Sequence, residues 1–329
     1  MKKKYDVYGI GTPMVDILCK VKDHHLEKIG IPKGVMNLID AKRAEDILKH
    51  IKEGKIISEL HSGGDCPNTI SSIGILGGNV VFSGVVGDDE LGKVFHKKLE
   101  ESKVVPHIKK AGKKTASCII MVTPDTERSM STHLATCELY DLDCIGREFL
   151  VNSKYLYVTA YMLDFPQQKK VLVEAMRLAK KNNVRVAFDL ADPFVVQRHK
   201  IYIKKLINEY VNLLFANEEE SKAFTGETDY NAALEKLSKM VDLAVIKLAS
   251  KGAILNYKNK TIKVKPFKVK AIDSTGAGDN FAAGFLYGLT QGYSIEKSGK
   301  IASYVSSRIV MKLGTKLDSK IKKEIETLI

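Results

Sequence analysis

The chain has 329 residues, 44% hydrophobic and 28% charged, a balance that suits one large globular domain rather than a disordered or fibrous chain. Its net charge of +13 rests almost wholly on lysine scattered over predicted helix surfaces, often beside Glu. A nucleic-acid face would need clustered Arg and aromatics, and a membrane span an apolar run of ~20 residues, so no nucleic-acid or membrane partner is expected; the lysines form a solvated surface that also draws in anions.

Along the chain, strand-like and helix-like runs alternate. The basic start "MKKKYDVYGIG" has too short an apolar part, and no cleavage site, for a leader; its residues 5–11 read as the first strand. Short β-branched runs recur at 79–87, 154–160, 183–190, 211–217 and 243–249, and amphipathic stretches at 167–182 and 230–240 fall between them. Buried strands alternating with helices predict an α/β fold: a doubly wound, mostly parallel sheet with helices on both faces and a ligand at the carboxyl ends of the strands. Residues 12–40 and 115–135 break the rhythm. The second of these reads as a hairpin turning through Thr123-Pro124-Asp125, and together they are expected to form a small β lid on a single domain spanning 1–329. Five cysteines, Cys19, Cys66, Cys118, Cys137 and Cys144, without CxxC spacing, argue against disulfides or zinc and for a reducing cytoplasm.

Near the end the period changes. Residues 263–272, "KVKPFKVKAI", alternate like a strand with one wet face; beyond Thr275, Phe281, Phe285 and Leu289 recur every four residues. Small Ala282, Ala283, Gly284 and Gly288 between them predict a helix packed closely on a neighbour. Gly276-Ala277-Gly278 then lies at a strand-to-helix turn, where unpaired N–H groups and the helix dipole favour an anion. Asp279 follows at once. The dipole alone explains an acid in a first turn, by a few tenths to about 1 kcal/mol. Beside an anion hole, the carboxylate calls for a second task, such as accepting a proton.

Other turns carry similar features. Gly63-Gly64 runs into a helix that includes Asn68; Asp16 lies just beyond strand one; Asn217 and Glu220 open a helix; Lys247 and Gly252 flank a turn; Arg128 stands at the hairpin return. Taken singly, each is equally explained as a tight turn, a cap or a surface residue.

As an ordered set they resemble the ribokinase-like (PfkB) carbohydrate and nucleoside kinase superfamily. "DSTGAGD" (273–279) is similar to its C-terminal signature, "GGDCPN" (63–68) to its Gly-Gly motif and "NEEE" (217–220) to its Asn-x-x-Glu motif, and the likeness runs from "YGIGTPMVDI" to "KLGT" (312–315). "GIGTPMVDI", "ERSMSTHLATC" (127–137) and "LADPFVVQRHK" (190–200) look closest to adenosine-kinase-like members.

The resemblance implies transfer of the ATP γ-phosphoryl group to a primary hydroxyl. Asp279 would be the base, the Gly276, Ala277 and Gly278 amides the anion hole, and Arg128 a lid arginine reaching the phosphates. Asp16, Gly63, Gly64 and Asn68 would hold the sugar hydroxyls, with Thr12 and Thr132 beside the substrate and Phe194 stacking on a base. Asn217 and Glu220 would organise Mg²⁺ through water, Lys247 and Gly252 would shape the nucleotide turn, and Asp273 and Thr275 would hold a monovalent cation, K⁺. Adenosine is the implied substrate, phosphorylated at its 5′-hydroxyl. A ribose or fructose kinase is the alternative, and a nucleoside- or sugar-binding regulator without turnover a third; monomer and homodimer both fit. Four positions depart from the pattern. Thr12 replaces an Asn, Thr132 an apolar lid residue, Ala249 the first Gly of the nucleotide turn, and Thr275 an Asn of some adenosine kinases.

Overall fold

In the computed structural model, which describes residues 3–328, the β-branched runs become strands of one sheet. The first two residues of the basic start and the last residue of the expected domain lie outside the described residues. In chain order the strands are β1 (Tyr5–Ile10), β2 (Met14–Lys20), β3 (Met36–Leu38), β4 (Ser58–Gly63), β5 (Val80–Gly87), β6 (Val104–Ala111), β7 (Ser117–Val122), β8 (Arg128–His133), β9 (Ser153–Thr159), β10 (Arg185–Asp189), β11 (Val211–Asn217), β12 (Leu243–Lys247), β13 (Ala253–Tyr257) and β14 (Lys260–Val264). A nine-stranded sheet has the order β14-β13-β12-β11-β10-β9-β1-β5-β6. It is parallel from β12 to β6; β13 and β14 join as an antiparallel edge.

The central strands alternate between two cores, as a pleated strand covered on both faces must. Phe188 and Leu214 pack into one core, Ala187 and Phe215 into the other. The strand order reverses around β1 and β9, where a doubly wound sheet opens a crevice at its carboxyl edge.

A second, five-stranded sheet has the order β3-β8-β7-β2-β4. The expected lid segments supply β2, β3, β7 and β8, and 115–135 is the antiparallel hairpin the turn residues implied. β4 was not anticipated, because "SELHSG" is polar and weakly alternating; it pairs with β2 from Ser58 to Gly63. One face of this sheet is apolar, with Leu18, Cys118, Ile120 and Val122 packed together and Met14 and Met130 beside them.

The expected strand over 263–272 forms only as far as Val264. Its partner β13 begins at Ala253, opposite Val264, so nothing remains to pair with beyond it, and Pro266 has no N–H to offer a ladder. The Gly-Ala-Gly turn therefore follows an irregular segment rather than a strand.

The close packing foreseen after Thr275 does form. The helix Ala277–Thr290 lies on the helix Ile295–Ile309, and small residues set the approach. A Cβ on Gly288 would come within 2.6 Å of Ser298 Oγ and 2.7 Å of Ser298 Cα. Phe285 meets Phe215 of the main sheet edge-to-face, ring centroids 5.8 Å apart. The helix is thus fixed from two sides. Gly288→Ala should destabilise the protein by about 1–3 kcal/mol in a urea titration, because backbone must move to admit the methyl; an unchanged midpoint would contradict this packing.

Candidate active site

The carboxyl ends of the main sheet and the apolar face of the second sheet enclose a cavity of about 880 Å³. Gly276, Ala277, Gly278 and Asp279 line it, together with Asp16, Gly64, Asn68, Asn217, Glu220, Lys247, Gly252 and Thr275. Residues hundreds of positions apart in sequence thus meet around one space.

Asp279 sits in the first turn of its helix, behind Gly276, whose φ of 72° is left-handed and suits glycine. Among the described residues, no side chain caps this helix start. The Ala277 amide donates to Ser274 O at 3.1 Å, so of the expected anion-hole amides it is already partnered. The helix Asp65–Leu76 holds Asp279 in place: Asn68 Nδ2 donates to its Oδ2 at 3.0 Å and Thr69 Oγ1 to its carbonyl at 3.2 Å. Ser72 bonds the next residue, Asn280, and Thr315 bonds Asn68, so the polar side chains of this seam are joined. Burial pushes the Asp279 carboxyl up to about 8. The charge of Asp65 adds to this, the bond from Asn68 opposes it, Asp189 raises it further and Lys247 lowers it.

Lys247 ends β12 and donates to both oxygens of Asp189 at the end of β10, at 3.1 and 2.8 Å. Burial alone would lower the ammonium, but Asp189 and Glu220 outweigh it and hold it above its ordinary value. It stays a cation, and it lies so close to the anion hole that a Cβ on Gly278 would be 3.3 Å from its Nζ.

Asn217 and Glu220 form a capping box on the helix Glu218–Thr225. Asn217 donates to both Glu220 oxygens, from N at 2.7 Å and from Nδ2 at 2.6 Å. Burial raises Glu220 to about 7, with Lys247 opposing and Asp189 adding. Each Glu220 oxygen accepts one bond from Asn217, and among the described residues no group of three or more His, Cys, Asp or Glu is arranged to hold a metal ion.

Asp16, on β2, packs its carboxylate against Gly63: a Cβ there would fall 2.4 Å from Oδ1. Burial raises Asp16 to about 6 and the charge of Arg128 opposes this. Gly64, at φ 94°, lets the chain pass Thr12 O, 2.4 Å from where a Cβ would stand. In the turn expected to hold the nucleotide, Ala249 takes a left-handed φ of 49°, the conformation that a glycine there would adopt without strain.

Some expected residues lie elsewhere. Thr12 donates to Gln168 at 3.2 Å, and Thr132 is buried on Cys118 Sγ; neither lines the cavity. Phe194 is 65% exposed and outside it. Asp192 caps the helix Pro193–Tyr210 through the Phe194 and Val195 amides, and Val195 and Val196 take the core side, which leaves the Phe194 ring in solvent. Arg128 and Asp273 form an ion pair at 2.6 Å at the cavity's edge. Cys66 is an inert thiol, pushed well above its ordinary value by burial.

Asp65 and Asp189 line the cavity but were not singled out, since an acid after a glycine pair or at a strand end carries no local signal. Met14, Cys118, Ile120 and Met130 also line it. From sequence, Cys118, Ile120 and Met130 belong to the lid hairpin and Met14 to the segment 12–40, with nothing to mark them as a wall of the site.

Residues 34–322 match the sequence profile described as pfkB family carbohydrate kinase. The fold is similar to that of an adenosine kinase from Sinorhizobium meliloti, at 32% identity and a TM-score of 0.88 over 99% of this chain and all of that one. A probable sugar kinase from Rhizobium etli matches at 29% identity and a TM-score of 0.88 over 99% of each chain. The adenosine kinase of Saccharomyces cerevisiae is 25% identical over 93% of this chain and 94% of its own. Among the described residues, no helix is long and apolar enough to cross a membrane.

The raised carboxyls fix a sign. Asp279 at about 8 and Glu220 at about 7 keep protons in the folded protein that the unfolded chain, with values near 4, releases. Stability therefore falls as pH rises from about 4 to 8. Asp279→Asn removes one of these groups, so its melting temperature should gain on wild type between about pH 5 and pH 8.5. An offset that does not change with pH would contradict the raised value.

Proposed function

The chain belongs to the pfkB family of carbohydrate kinases, and from that premise we propose that it transfers the γ-phosphoryl group of ATP to the 5′-hydroxyl of a nucleoside, with adenosine foremost. The observation that carries this reading is the lid-side wall of the cavity. Met14, Cys118, Ile120 and Met130 present an apolar, sulfur-rich face over Asp16. A free sugar carries hydroxyls that would lose their water against such a wall. A nucleoside offers a base, whose face suits thioether contact, and a vicinal diol that a carboxylate can accept. The second sheet then serves as a lid that excludes water from the transfer.

In this reading Asp279 accepts the proton of the hydroxyl as its oxygen attacks the γ-phosphorus, and the bond to the ADP oxygen breaks. The first-turn amides and Lys247 balance charge on the transferred group, and positioning supplies most of the remaining catalysis. Mg²⁺ accompanies ATP and neutralises phosphate charge. Only the ionised form of Asp279 can take the proton, so a carboxyl raised to about 8 predicts turnover that rises with pH towards 8. The likeness to an adenosine kinase at 32% identity supports the nucleoside reading. A ribose or fructose kinase is the second reading, favoured by the exposure of Phe194, which removes from the cavity the aromatic that the resemblance would stack on a base.

ADP release should be measured with Mg-ATP against adenosine, inosine, guanosine, cytidine, ribose and fructose. Turnover on a nucleoside with little on either sugar is expected; turnover on a free sugar alone would overturn the reading. Asp16→Asn should raise the KM for the nucleoside about 10–100-fold, the scale of a charge-assisted hydrogen bond, and leave that for ATP nearly unchanged. Equal effects on both would remove Asp16 from the diol role.

A further inference from the structure

The segment before the helix Ala277–Thr290 carries a buried carboxylate, Asp273, which the resemblance would give to K⁺. We propose that the guanidinium of Arg128 is the cation of that site, so that phosphoryl transfer in this chain needs no monovalent ion.

Asp273 is 8% exposed. Its Oδ1 accepts from Arg128 Nη1 at 2.6 Å and from the Thr275 amide at 3.0 Å; its Oδ2 accepts from the Gly314 amide at 3.1 Å. Arg128 Nη1 also donates to Thr275 Oγ1, the other oxygen expected to face an ion. Protein donors thus occupy both carboxylate oxygens and the hydroxyl. A monovalent cation there would place a second positive charge beside a guanidinium that cannot lose its own, on a carboxylate whose charge that guanidinium already offsets. Burial would raise Asp273, but the amides of Thr275 and Gly314 and the charge of Arg128 hold it below the usual carboxylate range. With the guanidinium and two backbone amides all donating to it, the Asp273 carboxyl is an ionised partner for the arginine, held through the single nitrogen Nη1.

The position of Arg128 gives the pair its consequence. Arg128 opens β8 of the second sheet, whereas Asp273 and Thr275 lie just ahead of Gly276 and the first-turn amides. The guanidinium fixes the anion-hole segment and ties it to the lid at the same time. An exchangeable ion would fix the segment without that tie. Arg128 acts here as a positioning residue for the site described above, and in that sense the inference rests on the proposed reaction.

The test reads binding and melting without substrate. Wild type is titrated with KCl by calorimetry, and melted in KCl, NaCl and choline chloride at equal ionic strength. The expected results are no heat of K⁺ binding, and melting temperatures that agree to within about 1 °C. Arg128→Gln should melt lower and regain about 2–4 °C in KCl but not in choline chloride, because the uncovered carboxylate now takes an ion. Wild-type K⁺ binding with a rise in melting temperature would overturn the inference, as would an Arg128→Gln protein that no cation restores. If that variant does not fold, the wild-type titration decides alone. Wild-type turnover should be the same in KCl and choline chloride. Absence of turnover in every salt would count against the proposed reaction and leave the cation result standing.

Discussion

A carboxylate buried in the uncapped first turn of a helix is the constraint on which the site depends. Asp279 shares the first turn of the helix Ala277–Thr290 with the amides that would hold a phosphoryl group. Left ionised, it would repel that group; drawn away from water, it is driven towards its neutral form. The surroundings serve this balance. Asn68 holds the carboxyl by one hydrogen bond, Asp65 and Asp189 disfavour its charge, and Lys247 limits the rise. The close approach of the helix Ile295–Ile309 and of Phe215 then fixes the turn that carries it.

The charges around the cavity are arranged to the same end. Asp189 engages Lys247 through both oxygens, and Asn217 engages Glu220 through both of its own. These groups are nearly buried, where an unpaired charge costs several kcal/mol. Among the described residues Asp279, Asp16 and Asp65 make no salt bridge, and two of these, Asp279 and Asp16, are the carboxylates the reaction would use: one for a proton, the other for a diol. The lysine-rich exterior gives the molecule a net charge of +13, which favours the approach of an anionic nucleotide.

Much of this was legible in the sequence where local chemistry dictates local structure. β-branched runs gave the main strands, Thr123-Pro124-Asp125 gave the hairpin, and small residues between Phe281 and Leu289 gave a helix in close contact with another. Motif order identified many of the residues that converge on the cavity, though Thr12, Thr132 and Phe194 lie outside it. What stayed hidden depends on partners far along the chain. The pairing of Arg128 with Asp273 and of Lys247 with Asp189 has no local signature. β4 is too polar to be recognised by alternation, and residues 265–272 alternate yet find no strand to pair with. Phe194 could be placed in its helix from sequence, but not on a face, because the Asp192 cap and the buried Val195 and Val196 decide that.

The central claim is that Asp279 takes the proton of the acceptor hydroxyl. Its most direct test is the single-turnover rate of Asp279→Asn with Mg-ATP and the substrate that wild type uses, alongside a calorimetric measurement of substrate binding. The account predicts a rate lower by about 10²–10⁴-fold, with binding kept within a few-fold. A variant that retains more than about a tenth of the wild-type rate would contradict it.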